Sequence, residues 1–221
     1  MTGVLEPLGL SLRVATIAVL LSCLIGVPLA WLLARFPFRG RDLVSVVILI
    51  PMVLPPTVLG YYLLLIIGRS GPIGRLSEAL GMGRLVFTPT AAVIAASVAS
   101  FPFLVRTAQA GFEQVDRVYE EAARTLGRGE LRIFFTVAVP LAWRGIVAGI
   151  ALSFARAMGE FGATLMVAGN IPGDTRTASV AIYDAVQAFR LNDAHILSLA
   201  LSVVSGLILL AITRVGRGSG W

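Results

Sequence analysis

Residues 112–140 read FEQVDRVYEEAARTLGRGELRIFFTVAVP, a polar, charged stretch inside a chain otherwise apolar enough for a bilayer. It is too long for a turn. Asp116 is placed to cap a helix, Glu120 and Glu121 suit its positive N-terminal end, and Glu120 and Arg124 stand one turn apart. Gly127 supplies a left-handed stop, so the spacing predicts a short helix ending there. Glu130 opens a second amphipathic stretch, with Leu131, Phe134 and Phe135 for an apolar surface and Pro140 to end it. The two helices make a compact polar elbow. Ala122 and Ala123 add no bulk beside Glu121, so a partner can approach that face closely.

The chain on either side sets the context. Of 221 residues 57% are hydrophobic and 14% charged, with a mean hydropathy of +0.89. A soluble domain is nearer ~45–50% apolar and ~25% charged. Apolar stretches of crossing length, about 20 residues, fall at 10–34, 43–67, 90–108, 146–169 and 196–212. The reading is an all-α polytopic membrane protein of five transmembrane helices forming one domain over 1–221. The first stretch also has features of a secretory signal, since Arg13 precedes a hydrophobic run within it and Pro28-Leu29-Ala30 resembles a cleavage region. The run continues through Trp31, Leu32 and Leu33 with no soluble domain after it, which favours a retained span.

All the basic residues are arginines, and their distribution sets the orientation. Arg35, Arg39 and Arg41 in the first loop, Arg106, Arg117, Arg124, Arg128, Arg132 and Arg144 around the elbow, and Arg214 and Arg217 in the tail outnumber Arg69, Arg75, Arg84, Arg176 and Arg190 on the other side. The elbow and the C-terminus are therefore expected in the cytoplasm and the N-terminus outside. The net charge of +6 is accounted for by this bias and needs no nucleic acid. Cys23 is the one cysteine and sits in the first apolar run, which leaves no disulfide or metal cluster to expect. His195 reads as a helix-end residue.

Two spans carry unusual residues. Pro51, Pro55 and Pro56, followed by Gly60, Tyr61 and Tyr62, predict a broken second helix, either a packing kink or a pathway-lining gate. In the fourth, Gly149, Ser153, Arg156, Glu160 and Thr164 recur at helical spacing on one stripe, with Phe154, Met158, Phe161 and Leu165 opposite. Arg156 and Glu160 are expected to pair one turn apart, as a structural bridge or as part of a gate. Elsewhere the pattern gives a short helix at 76–80, a turn at 170–177 centred on Pro172 and Gly173, an amphipathic helix with Ile182, Val186 and Phe189 on one face, and a small-residue packing face of Ser198, Ser202 and Gly206.

Glu121-Ala122-Ala123, three residues, Gly127, nine residues, Val137, one residue and Val139-Pro140 resemble the EAA loop of ABC-importer membrane subunits, with Val at both aliphatic positions. PMVLPPTVLGYY from Pro51, FPFLVR from Phe101, SFARAMGEFGAT from Ser153 and NIPGDTRT from Asn170 extend the likeness to the molybdate and sulfate branch, and nearest to its molybdate members. The resemblance implies a type I importer permease fold, a homodimer in the bacterial inner membrane, two cytoplasmic ABC ATPases that bind ATP and Mg, and an external oxyanion-binding protein. It implies ATPase coupling through Glu120, Glu121, Ala122, Ala123, Arg124, Gly127 and Pro140. A pathway or gate is expected at Pro55, Pro56, Ser153, Arg156, Glu160 and Thr164, and binding-protein docking at Asn170, Pro172, Gly173 and Arg176. Without lysine the chain has no G-x-x-x-x-G-K-[ST] loop, and it offers no nucleophile–base set, so neither catalytic residues, a metal nor a cofactor of its own is expected. Sulfate, thiosulfate and tungstate permeases are alternatives within the branch. An autonomous ion-coupled carrier using Arg156 and Glu160, and a membrane scaffold without transport, are alternatives outside it.

Overall fold

The computed structural model describes residues 2–218; Thr2, Gly3, Arg217 and Gly218 are described in backbone alone, so the Arg217 side chain lies outside the described residues. The regular elements are all helical. The first, α1 (Thr2–Arg35), is one helix of 34 residues, a rod of about 50 Å at 1.5 Å per residue. α2 (Arg41–Val53) and α3 (Pro56–Ile67) follow, then the short α4 (Pro72–Ala79) and the long α5 (Pro89–Glu113). The elbow consists of α6 (Val118–Thr125), α7 (Glu130–Ile133), a π-helical turn (Phe134–Ala138) and α8 (Val139–Leu141). The chain returns as α9 (Trp143–Met158), α10 (Gly162–Ala168), α11 (Ala178–Gln187) and α12 (Leu191–Gly218).

The centre is the packing of α1, α5 and α9. Ala91, Ala92, Ala95, Ala96 and Ala99 of α5 are buried against Val14, Ala15 and Ala18 of α1 and Phe154 and Ala157 of α9. Apolar lipid gives helices no hydrophobic reason to associate, so small residues that let backbones approach have to supply the contact area. The closest approach is at Gly111 of α5 and Gly145 of α9, where a Cβ on Gly145 would stand 2.4 Å from the Gly111 Cα.

By length and composition α1, α5 and α12 can each cross a membrane. Two further segments qualify only as bent pairs, α2 with α3 at 115° and residues 130–141 with α9 at 78°. The proline-rich second span is thus broken at Leu54 and Pro55, whose extended backbone (ψ 139° at both) turns the chain. The 146–169 span is not one helix either, because α9 ends at Met158 and α10 starts at Gly162. The uninterrupted stripe from Gly149 to Thr164 is corrected accordingly: Glu160 lies in the break and Thr164 on a separate helix. Pro140 does not end the elbow's second limb. The helix runs on to Leu141 and bends at Ala142, the π turn having widened the spiral ahead of a proline that cannot donate.

Three smaller expectations shift. The loop helix is Pro72–Ala79 rather than 76–80, with Pro72 in its first turn. Phe189 lies beyond α11 at φ 56°, where it ends the helix instead of extending its apolar face. Ser202 and Gly206 of α12 are exposed, and the face of that helix packed inside the chain carries Leu201, Ile208 and Ile212.

Candidate functional site

The elbow is built from local signals. The Val118 amide donates to Asp116 Oδ1 at 3.0 Å, which starts α6. At its other end Gly127 takes φ +76°, the Gly127 amide donates to the Arg124 carbonyl at 2.9 Å and the Arg128 amide to the Ala123 carbonyl at 3.2 Å. This paired reach-back terminates the helix and points the chain into α7. Arg124 then ties the two limbs: its Nε donates to Glu130 Oε1 at 2.6 Å and its Nη2 to Glu130 Oε2 at 3.0 Å. The Arg124 hydrogen bonds hold the Glu130 carboxyl below its usual range, and the same contact pushes the guanidinium up.

Glu120 goes inward. Only 1% of its side chain is exposed, and Arg35 Nε, at the end of α1, donates to its Oε1 at 2.7 Å. Arg35 Nη2 also donates to the Val115 carbonyl at 2.9 Å, while Arg117 Nη2 reaches the Ala34 carbonyl at 3.4 Å. Arg124 Nη2 holds the other oxygen of Glu120 at 3.5 Å. Above this pair Phe134 of the second limb is buried against Trp31 of α1, ring centroids 5.1 Å apart. Both limbs are therefore fastened to the last turns of α1. The sequence showed Arg35 only as one topogenic charge among Arg39 and Arg41, with nothing local to mark it as the partner of Glu120.

The outward face is different in kind. Glu121, Ala122, Gly127 and Pro140 are exposed, as are Leu126, Leu131 and Phe135. Arg128 and Arg132, also exposed, flank these apolar residues in sequence.

The second constellation lies where the helices break. Arg156 Nη1 stands 2.6 Å from Glu160 Oε2, off the hydrogen-bonding direction, so the contact is ionic. Glu160 Oε1 accepts from the Ala163 amide at 2.8 Å and caps α10. Ser153 is fully buried and its Oγ has no hydrogen-bond partner. Thr164 is buried on α10, while Pro55 and Pro56 are exposed at the start of α3. The structure joins the two breaks: a Cβ on Gly162 would meet the Pro56 Cβ at 2.7 Å, and one on Gly60 the Met166 Cβ at 2.7 Å. Pro56 thus meets the segment of Glu160, and Gly162, which sequence reasoning passed over, is what permits it.

The 170–177 turn is a polar network. Arg176 Nε donates to Asn170 Oδ1 at 2.6 Å, Asn170 Nδ2 donates to Asp184 Oδ1 at 3.1 Å, and Arg190 Nη2 to Asp184 Oδ2 at 2.9 Å. Gly173 takes φ +77°, and it and Pro172 are exposed at the tip. Pro172, Gly173, Arg176, Asp184 and Arg190, with Glu6 and Asp193, line a cavity of about 500 Å³.

A long first helix, a clamped elbow and paired breaks together define the fold of an ABC-importer permease. The chain superposes on the inward-facing MetNI methionine ABC transporter with a TM-score of 0.78 at 17% identity, covering 99% of this chain and 96% of that one. Residues 26–217 match the family described as binding-protein-dependent transport system inner membrane component, and the chain belongs to that family: it is a transport membrane subunit. It is 46% identical over 216 residues to the molybdenum transport system permease protein ModB of Escherichia coli (strain K12), covering 94% of this chain and 93% of that protein. It is 43% identical over 208 residues to the ModB of Azotobacter vinelandii, covering 94% and 92%.

Proposed function

We propose that this chain is the translocation subunit of an ATP-driven molybdate importer in a bacterial cytoplasmic membrane. What carries the reading is the elbow, fixed to α1 through buried Glu120 while it presents Glu121, Ala122, Leu126, Leu131 and Phe135 outward. That is the form of a part which receives force from a separate motor. The likeness to molybdenum permeases along nearly the whole length supports the anion.

In this reading the chain crosses five times, the bent segments supplying two crossings, with the N-terminus outside and the elbow and C-terminus inside, as the arginine bias directs. Two copies pair, two ATPase subunits carry the ATP and Mg, and each elbow engages one ATPase. Glu121, Ala122, Gly127 and Leu126 make the contact, with Ala123, Arg124 and Pro140 shaping it. A loaded oxyanion-binding protein docks outside on Asn170, Pro172, Gly173 and Arg176. The dianion cannot enter hydrocarbon, so a polar passage has to replace its water; Ser153, Arg156, Glu160 and Thr164, beside Pro55 and Pro56, line or gate it. ATP-driven closure of the motors moves the elbows and alternates access by rigid-body motion.

The test is uptake of labelled molybdate by proteoliposomes holding the complete importer, with Glu121→Ala and Gly127→Ala variants. Uptake requires ATP and falls in both variants; unaltered uptake and ATP hydrolysis in both would overturn the coupling role. Competition by sulfate and tungstate assigns the anion. Transport by the purified chain without an ATPase would replace the reading with an autonomous carrier.

A further inference from the structure

The inner end of α1 is held by the elbow, and its other end does something the elbow reading does not use. Ser11, 3% exposed, accepts a hydrogen bond through its Oγ from the Ala178 amide at 2.8 Å, across 167 positions of sequence. Ala178 is the first residue of α11. A helix start is ordinarily capped by its own preceding residue. Here that residue is Thr177, whose hydroxyl is buried and unpartnered. Ser11 of α1 instead takes the free amide of the first residue of α11.

Ser11 and Arg35 lie on one helix that runs unbroken through Pro28. At 1.5 Å per residue they are about 36 Å apart, the span of a bilayer's hydrocarbon and more. From Ser11 the connection continues: α11 follows the 170–177 turn, and Ser179 Oγ donates to the Met158 carbonyl at 3.5 Å, at the end of α9 just before the Glu160 break. Trp31 and Arg35 at one end and Ser11 at the other thus place a single continuous helix between the elbow and the segment holding both the turn and the break.

We infer that α1 is the transmission rod of the importer, with Arg35 and Ser11 as positioning residues that pass movement between the elbow and α11. This rests on the importer reading given above. Occupancy of the turn by a loaded binding protein shifts α11, Ser11 carries the shift to α1, and the Arg35–Glu120 pair delivers it to the elbow. ATP-driven movement of the elbow travels the same route in reverse, as linkage between two sites requires.

The experiment uses the complete importer in proteoliposomes and reads ATP hydrolysis without binding protein, hydrolysis with molybdate-loaded binding protein, and molybdate taken up per ATP. Ser11→Ala keeps the basal hydrolysis and loses at least half of the stimulation by loaded binding protein; Ser11→Thr, which keeps the hydroxyl, restores it. Arg35→Gln lowers uptake per ATP, and Arg35→Lys recovers part. The deciding arm is the double variant Ser11→Ala with Arg35→Gln. Two breaks in one rod cost no more than the worse of the two, whereas independent effects multiply. Full stimulation in Ser11→Ala, or a multiplicative loss in the double variant, would overturn the inference. If Arg35→Gln does not assemble, the Ser11→Ala and Ser11→Thr pair decides alone. Absence of ATP-driven uptake in the unmodified importer would instead refute the importer reading.

Discussion

Gly145→Ala is the substitution whose cost the structure states most directly. The added Cβ would lie 2.4 Å from the Gly111 Cα and 3.2 Å from its nitrogen, and both are backbone atoms with no side chain to swing aside. Ordinary contact begins near 3.4 Å, so α9 has to move by about 1 Å from α5 at the root of the elbow, at the overpacking cost of about 1–3 kcal/mol. The propensity gain of alanine over glycine, up to about 1 kcal/mol in a helix interior, offsets little in the first turn of α9. The control is Gly206→Ala on α12, where nothing stands within 4 Å of the added carbon. There the same chemical change keeps only the propensity gain. Thermal unfolding of the purified chain in detergent, followed by size-exclusion fluorescence, is expected to show Gly145→Ala lower by several degrees and Gly206→Ala unchanged or higher. Equal behaviour of the two variants would show that close approach of α5 and α9 is not what holds this bundle.

Two further outcomes follow from the charged groups. Glu160→Gln leaves Arg156 without its counter-charge beside a buried site, and Glu160→Ala removes the α10 cap as well, adding about 0.5–2 kcal/mol. Both lower the same unfolding temperature, Ala more than Gln, and pairing Glu160→Gln with Arg156→Gln recovers part of the loss. At the elbow, the Glu130 carboxyl is lowered by Arg124, so its contribution is complete above the unfolded carboxylate pKa and is lost as pH falls through the lowered folded value. Both groups are more than a third exposed, so screening limits the effect to at most about 1 kcal/mol. Glu130→Gln should speed amide exchange in α6 at pH 7, with a difference from the unsubstituted chain that shrinks as pH falls below the ordinary carboxylate range.

How much of this was readable in one dimension depended on the range of the interaction. The start of α6 near Asp116, its stop at Gly127 and the Glu120–Arg124 pair are made within one or two turns, so spacing contained them, whereas the Arg124–Glu130 tie crosses the turn between the limbs and was not anticipated. The break at Pro55 was announced by proline chemistry. The break at Glu160 was hidden because Ser153, Arg156, Glu160 and Thr164 keep helical spacing across it, and periodicity does not register a change of direction. Arg35 and Glu120 meet across 85 positions, and Ser11 meets Ala178 across 167. No window along the chain holds both members of either pair. The glycines at 60, 111, 145 and 162 were visible as letters, yet what each approaches is a property of two helices and could be read from neither alone.

The placement of the buried charges has a common cause. A buried ion pair adds little net stability over well-packed apolar residues, because desolvation consumes much of the Coulomb gain. The pairs are therefore better understood by what else they hold. Arg35 takes the Val115 carbonyl left free after α5, and Glu160 the Ala163 amide at the start of α10. Each satisfies backbone that a change of chain direction has released, where a buried polar group left unpaired would be costly. Charge and break occur together because an irregular backbone needs strong local partners. Such bonds depend steeply on distance and direction, so each joint holds its change of chain direction in one geometry within an otherwise alanine-packed bundle.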